Sequence, residues 1–241
     1  MIKKALLLVV ILVAAFHNSK AQNWANGIDD DQFNWGYSFQ YISTEYKLWK
    51  RPSWRESGQD LDGKGDFTSI SSRPSQGFAI GFVGNRKVTN HLDLRLTPNL
   101  VFTDRNLSYT YQSNPDEVIE KRINATMIDL PLSLKLKSDR LTNFRAYIIG
   151  GLKYSIDMAS SSKNNNAEVL DELEKKINNK KSFLSYEAGA GMDFYFSFFK
   201  MSTEVKVSQS FKNILIHENH AFSSPIEKAK LRHFTFSLFF E

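Results

Sequence analysis

The 241-residue chain contains no cysteine. This absence excludes a disulfide scaffold, a thiolate metal site and a lipoprotein anchor, which would need a cysteine to carry the lipid. The chain also lacks a real excess of one charge, although its formal net charge is +5. Without Lys3, Lys4 and Lys20, the 31 basic residues fall to 28 against 26 acidic ones. Such a balance does not favour binding to nucleic acid.

Long hydrophobic runs are absent everywhere except at the N-terminus. There, a basic start, an apolar core at Ala5–Phe16 and small residues at Ser19 and Ala21 predict secretory export and cleavage. The apolar core is shorter than the ~20 residues that a membrane-spanning helix needs. We therefore expect residues 1–21 to be a cleaved signal peptide and residues 22–32 a short periplasmic lead. If the mature chain crosses a membrane, it must do so as a barrel.

Motifs of known chemistry are scarce. The chain has no G-x-S-x-G, no P-loop and no Rossmann fingerprint. The H-E-N-H at residues 217–220 lacks the i, i+4 histidine spacing of a zinc site, and the acidic stretch at residues 60–66 has Lys64 where a calcium loop needs a ligand. His233 and Ser237 on the last strand have no evident catalytic partner. We therefore expect no catalytic residue, no metal, no cofactor and no small-molecule substrate, and we do not expect an enzyme.

What the chain does contain is aromatic residues, 13% of the total, and long stretches of strict alternation. The clearest stretch runs from Lys121 to Ser161 and reads as two arms around a polar break at residues 138–142. Apolar residues occupy one face of each arm, and the other face carries full charges such as Lys135, Arg145 and Lys153. This period-two pattern predicts a β-hairpin. A barrel embedded in lipid would direct the apolar face outward and the charged face into a narrow lumen.

The rest of the chain repeats this pattern, giving about eight strands between residues 33 and 241. Short turns and long loops alternate strictly, with turns at 85–90, 138–142 and 197–200 and loops at 47–73, 112–121, 157–181 and 211–228. The aromatic C-terminal sequence H-F-T-F-S-L-F-F-E resembles the signal that bacterial barrel-insertion machinery recognises. We predict an all-β fold, namely a small antiparallel up-and-down transmembrane β-barrel with long outer loops and short periplasmic turns. A soluble lipocalin-type barrel is the alternative.

The charged residues on the inward faces are the candidate functional residues of the lumen. They are nearly balanced in sign: Asp93, Asp129, Glu187, Asp193 and Glu204 face Arg95, Lys135, Arg145, Lys153 and Lys206. Charges in a lumen this narrow must be paired, because an isolated buried charge is very costly. We therefore expect a filled, salt-bridged interior that supports the barrel. A path for protons or a ligand is the alternative.

Two further segments point to contacts outside the lumen. Residues 167–178 have helical spacing, and their apolar positions Leu170, Leu173 and Ile177 predict docking on the barrel rim or contact with a partner protein. Residues 47–55 are rich in the basic residues lysine and arginine and in the aromatic residue tryptophan. We interpret this stretch as an interfacial anchor for lipid phosphates, with a partner-binding patch as the alternative.

Three motifs carry a resemblance to a known family. L-R-L-T-P-N-L at residues 94–100, M-I-D-L-P-L-S-L-K-L-K at 127–137 and Y-I-I-G-G-L-K-Y-S-I-D-M at 147–158 resemble the PorT (SprT) family of Bacteroidetes outer-membrane barrels. The resemblance implies a component of the type IX secretion system, which exports proteins across the outer membrane and supports gliding motility. Its partners would be outer-membrane lipid and other secretion-system proteins. A small barrel with its own activity, such as a lipid-modifying enzyme or adhesin, is the alternative.

Overall fold

The computed structural model describes residues 31–56, 64–113, 116–158 and 171–241. The expected signal peptide and nearly all of the expected periplasmic lead lie outside these residues. None of the helices in the described part is long and apolar enough to cross a membrane. The described residues form ten β-strands: β1 Phe33–Lys50, β2 Phe67–Ser71, β3 Ser75–Lys87, β4 Leu92–Leu96, β5 Asn99–Tyr111, β6 Val118–Lys137, β7 Phe144–Asp157, β8 Ser182–Tyr195, β9 Lys200–Ser210 and β10 Ile226–Phe240.

The strands close into a ring. β1 pairs with β3 on one side and with β10 on the other, and every pairing is antiparallel. β4 and β5 follow one another along the same path, separated only by Thr97 and Pro98, because proline lacks the N–H that a continuous ladder would use. Counting them as one gives an eight-stranded ring, with β2 added on the free part of β5. The predicted up-and-down barrel of about eight strands is confirmed.

On strand β6 the polar face and the apolar face change places along the length of the strand. From Val118 to Thr126 the outward side chains are mainly polar and the inward ones are mainly apolar. From Ile128 to Leu136 the outward side chains are all apolar, whereas the inward ones include Asp129, Ser133 and Lys135. The first half is therefore patterned for water outside and the second half for lipid outside.

The same exchange occurs on β1 and β10, which lie side by side. On β10 the outward side chains change from charged to aromatic between Arg232 and Phe234. On β1 the same change takes place between Glu45 and Tyr41. The apolar part of β6 covers about 26 Å of strand at ~3.3 Å per residue. A strand tilt of ~40° reduces this to about 20 Å, comparable with the ~25 Å apolar band of membrane barrels. The ring thus consists of an apolar belt and an extension beyond it.

The extension lies at the end with the long connections, which we call the outer end. Its interior holds a conventional hydrophobic core, in which Phe222 and Ile214 from the β9–β10 connection pack against inward residues of the strands. The Tyr109 hydroxyl donates a hydrogen bond of 2.8 Å to the carbonyl of Phe222, and the two rings meet edge to face. The outer mouth of the ring is therefore closed by the chain's own side chains.

Several expected loop boundaries are wrong because the strands continue beyond the belt. β1 extends to Lys50, β6 begins at Val118 and β10 begins at Ile226, so the expected loops at 112–121 and 211–228 are shorter, and the loop expected at 47–73 contains β2. The helix expected over residues 167–178 is also not observed in its described part. Residues 171–178 contain only a short 3-10 helix, Glu172–Glu174.

The polarity exchange gives a direct test on one strand. Leu132→Arg should destabilise the protein in lipid by about 2–4 kcal/mol, because it places a charge on the outward face within the belt. Asn124→Arg lies on the same face of β6, beyond the belt, and should cost about 0–1 kcal/mol. Urea unfolding of the two variants in phospholipid vesicles measures both values. Equal costs would contradict the assignment of the belt.

Candidate functional site: the charges of the lumen

The lumen within the belt is lined by charged side chains that the strands direct inward. Nine of the ten charged residues expected there are buried: Asp93, Arg95, Asp129, Lys135, Lys153, Glu187, Asp193, Glu204 and Lys206. Arg145, at the start of β7, is only half-buried. The alternation of the strands therefore brings nearly the whole predicted set into one space, where solvent cannot screen the charges.

Each buried charge has a partner of opposite sign. The ion pairs among the described residues of the ring are Lys137–Asp93 at 2.7 Å, Lys135–Asp193 at 2.7 Å, Arg95–Glu204 at 2.8 Å, Lys153–Asp129 at 3.0 Å, Arg105–Asp157 at 3.0 Å, Lys206–Glu204 at 3.2 Å, Lys206–Glu187 at 3.4 Å, Arg95–Glu241 at 3.5 Å and Lys200–Glu241. Seven cations thus face seven anions among the described residues. This balance satisfies the requirement that charges removed from water be paired.

Arg95 is the most connected residue of the network. Its guanidinium donates to the carboxylate of Glu204 at 2.8 Å and to the amide oxygen of Asn85 at 2.7 Å, and it lies 4.6 Å from the ring centre of Phe239. Glu204 also accepts a 2.9 Å hydrogen bond from the hydroxyl of Tyr147. A planar guanidinium suits this position because its donors point in fixed directions toward several acceptors at once.

Tyr147 fills the centre of the lumen beside this pair. The Lys135 ammonium lies 3.9 Å from the centre of its ring, a distance at which the cation is attracted to the aromatic face. The facing position on β8 is Gly191, where a Cβ atom would lie 2.5 Å from the phenol of Tyr147. Glycine is therefore required there to admit the ring. Side chains, rather than an open channel, occupy this level of the barrel.

Five further members of the network were not among the ten lumen charges expected from the sequence. Lys137, Lys200 and Glu241 lie near the end with the short turns, and Arg105 and Asp157 form the pair closest to the outer core. For four of them the signal was present, because Arg105, Lys137, Asp157 and Lys200 lie at inward positions of their strands. Glu241 follows the last residue of β10. Lys200 and Asp157 were placed in connections rather than strands, and Arg105 lies just beyond the strand stretch that the alternation defined.

Lys153 contacts both a carboxylate and a histidine inside the lumen. Its ammonium lies 3.0 Å from Asp129 and 3.0 Å from Nδ1 of His233, and all three side chains are buried. His233 and Ser237, the residues without an evident catalytic partner in the sequence, are both inside the lumen and closed off from solvent. In the described part of the chain, no group of three or more His, Asp or Glu residues could hold a metal ion.

The residues expected to contact a partner have different environments. Ile177 is buried in the hydrophobic core of the outer end, together with residues of the strands. Leu173 is partly buried against the same core, and its carbonyl accepts a hydrogen bond from Lys121. Leu170 lies outside the described residues. Ile177 therefore packs within the barrel itself in this structure.

Comparison with known proteins agrees with this architecture. A family model described as "Outer membrane protein beta-barrel domain" matches residues 12–215, which is most of the chain. The class of protein is thus an outer-membrane β-barrel. The chain belongs to the outer membrane protein beta-barrel domain family, and the expected location in the outer membrane is confirmed at this level. No curated protein of similar sequence was found.

Solved structures with similar folds are also outer-membrane proteins, all at low sequence identity. OprG from Pseudomonas aeruginosa is 12% identical, with a TM-score of 0.45, covering 86% of this chain and 92% of its own. Ail, the attachment invasion locus protein of Yersinia pestis, is 9% identical, with a TM-score of 0.33, covering 87% and 98%. OmpT, an outer membrane protease from Escherichia coli, is 11% identical, with a TM-score of 0.39, covering 92% and 97%.

The presence of OmpT among these structures corrects one expectation. We expected this chain not to be an enzyme because the sequence shows no assembled catalytic motif. OmpT is a protease and shares the barrel fold at distant similarity. The expectation that this chain is not an enzyme is therefore withdrawn.

Removing one member of a buried pair should be far more costly than removing an exposed one. Lys135→Met leaves the Asp193 carboxylate without its cation and should destabilise the barrel by about 3–5 kcal/mol. Asp193→Asn in the same chain should recover part of this loss, because no uncompensated charge then remains. Arg122→Met breaks the ion pair with Asp104 on the outer surface and should cost about 0–1 kcal/mol. Unfolding in vesicles checks the order, and equal losses for Lys135→Met and Arg122→Met would contradict it.

The filled lumen also predicts the electrical behaviour of the protein. Purified protein in a planar lipid bilayer should show no stable ion channel, because Tyr147 and the paired charges occupy the narrow interior and the hydrophobic core closes its outer end. Single-channel recording under a range of voltages is the measurement. A reproducible conductance of defined size would show that the lumen opens.

Proposed function

We propose that this protein is an outer-membrane component of the type IX secretion system, with a role in protein export and gliding motility. In this proposal a signal peptide at residues 1–21 directs the chain across the inner membrane. The barrel is then held in outer-membrane lipid and acts through contacts with other proteins of the secretion machine.

The observation that carries the proposal is the hairpin of β6 and β7, which contains two of the motifs resembling the PorT family. In the structure these motifs lie on neighbouring strands and are joined by the Lys153–Asp129 ion pair at 3.0 Å. Gly151 in the second motif faces Ser133 in the first, and a Cβ at this glycine would lie 2.3 Å from the carbonyl oxygen of Leu132. The two motifs therefore form one packed unit, which supports reading them as a single family feature.

The filled lumen supports a role in assembly over a role as a pore. A protein exported through this barrel would need an opening of many ångströms, whereas the described part of the lumen holds seven cations paired with seven anions, and a tyrosine ring. The surfaces left for function are then the belt, the outer extension and the short turns. Such surfaces suit contact with neighbouring proteins.

Purification from native outer membranes tests the proposal. The affinity tag is best placed before Phe33, because the side chain of Glu241 at the other end is held by Asn85 and Lys200. We expect secretion-system proteins to co-purify from detergent extracts in amounts comparable with the bait. A tagged, unrelated small barrel from the same membrane is the control and should recover none of them.

A deletion strain gives the functional half of the test. Loss of the gene should reduce export across the outer membrane while leaving the amounts of other outer-membrane proteins unchanged. Normal export together with an empty co-purification would contradict the secretion role. Assays of lipid composition and of surface adhesion in the same strain would then examine the alternative, a barrel with its own activity.

A further inference from the structure

The outward face of β1 and β10 beyond the belt carries a concentrated positive charge. Lys47 on β1 lies directly opposite Lys230 on β10, and the next pair outward is Trp49 with Lys228. Both Lys47 and Trp49 are exposed at the surface. Because the register places these side chains on the same face, they form one patch, which we call the β1–β10 cationic patch.

The chain's own carboxylates neutralise only part of this patch. Like charges directly opposite one another on a sheet are destabilising. Within the described residues, neither Lys47 nor Lys230 forms an ion pair with a carboxylate. Arg232 and Lys228 do have such partners, at 3.5 Å and 3.2 Å. The ammonium of Lys230 lies 5.7 Å from the ring centre of Trp49, a contact that attracts the cation but brings no negative charge. The repulsion between Lys47 and Lys230 thus costs stability unless an anion from outside the chain bridges the two ammonium groups.

The last residue of β1 and the turn that follows it add further cations and an aromatic ring. The ammonium of Lys50 lies 4.2 Å from the ring centre of Trp54, and the guanidinium of Arg55 lies 5.2 Å from the same centre. Partial burial, and then the positive charge of Arg55, lowers the pKa of Lys50, which lies beyond the belt. Positive charges are therefore crowded here, and a bound anion would relieve the crowding.

The position of the patch relative to the belt defines the source of that anion. Phe234 is the last aromatic residue of the belt on β10, and Lys230 follows four residues farther out. This spacing corresponds to about 13 Å of strand, or about 10 Å along the membrane normal at a tilt of ~40°. The flexible stems of Lys47 and Lys230 allow their ammonium groups to reach back toward the belt. They lie at the level of the outer-leaflet headgroups.

We propose that the β1–β10 cationic patch binds the phosphate groups of an anionic outer-leaflet glycolipid, with Lys47 and Lys230 contacting one phosphate from both sides. The neighbouring Trp49 and Trp54 fit this ligand, because tryptophan favours the boundary between lipid and water. Clusters of lysine and arginine beside a membrane segment recognise anionic lipids through the same attraction. The lipid also accounts for the paired lysines, since its phosphate removes their repulsion.

Titration of the full mature chain in non-ionic detergent with diphosphorylated lipid A tests the proposal. The unfolding temperature of the parent should rise and then saturate, whereas dephosphorylated lipid A and inorganic pyrophosphate should leave it unchanged. Lys47→Gln with Lys230→Gln should bind about 30-fold more weakly, since each lysine near an anionic surface contributes roughly fivefold. Without lipid, this double variant should unfold at or above the temperature of the parent, because the like-charge pair is gone.

A matched variant separates a defined site from general attraction. Lys180→Gln with Lys181→Gln removes the same charge at the outer end of β8, which β9 separates from β10, and should leave lipid affinity within about twofold. Equal losses in the two double variants would overturn the proposal in favour of non-specific attraction. A shift of equal size with pyrophosphate or with dephosphorylated lipid A would also overturn it. So would unchanged lipid affinity in the Lys47 and Lys230 variant, which would leave an acidic protein as the partner of the patch.

Discussion

The alternation of side chains along a β-strand ties the lumen of this barrel to its lipid-facing surface. Every second residue within the belt must be apolar because it faces hydrocarbon, and the residues between them then face a space about as wide as the side chains themselves. An apolar filling is possible in principle, but here the inward positions carry charge. Those charges have no water to screen them, so they must neutralise one another. The pairing of seven cations with seven anions among the described residues of the ring follows from this requirement.

The same constraint acts in reverse beyond the belt. Once the strands enter water, the outward face must be polar, and the inward face can hold a hydrophobic core. On β6 the change takes place between Met127 and Asp129 on the inner face and between Asn124 and Ile128 on the outer face. One half of β6 thus has the pattern of a lipid-embedded barrel, and the other half has the pattern of a water-soluble barrel. Its hydrogen-bond ladder with β5 continues through the change, so the two parts are joined rigidly.

This exchange explains which parts of the fold could be predicted from the sequence. Strands within the belt were recognisable because apolar outward positions such as Leu132 and Leu134 alternate with polar ones. Beyond the belt the side chains still alternate between the two faces, but the polar ones now face outward and the apolar ones inward. For this reason Val118 and Ile226 were assigned to loops although they lie in strands. Strand β2 was not recognisable because its five residues are too few to show a period, and its place depends on the free part of β5.

The pairing within the lumen shows the corresponding limit for the site. Asp93 and Lys135 are direct neighbours across the β4–β6 ladder, yet Asp93 pairs with Lys137 and Lys135 reaches Asp193 on β8. Which inward charges meet depends on the tilt of the strands and the stagger of their register around the ring, and no single strand contains that information. The sequence therefore predicts which residues enter the lumen but not which of them pair.

The balance inside the lumen also determines where the protein can interact electrostatically with its surroundings. Seven cations and seven anions held within a few ångströms of one another produce little field at a distance, because opposite charges at short range cancel. The charges that can act on other molecules are those left on the surface. Among these, Lys47 and Lys230 differ from the lumen charges in one respect: their nearest charged neighbour across the sheet has the same sign. A chain that pairs every buried charge but leaves two lysines opposed at the headgroup level is arranged to receive its anion from the membrane.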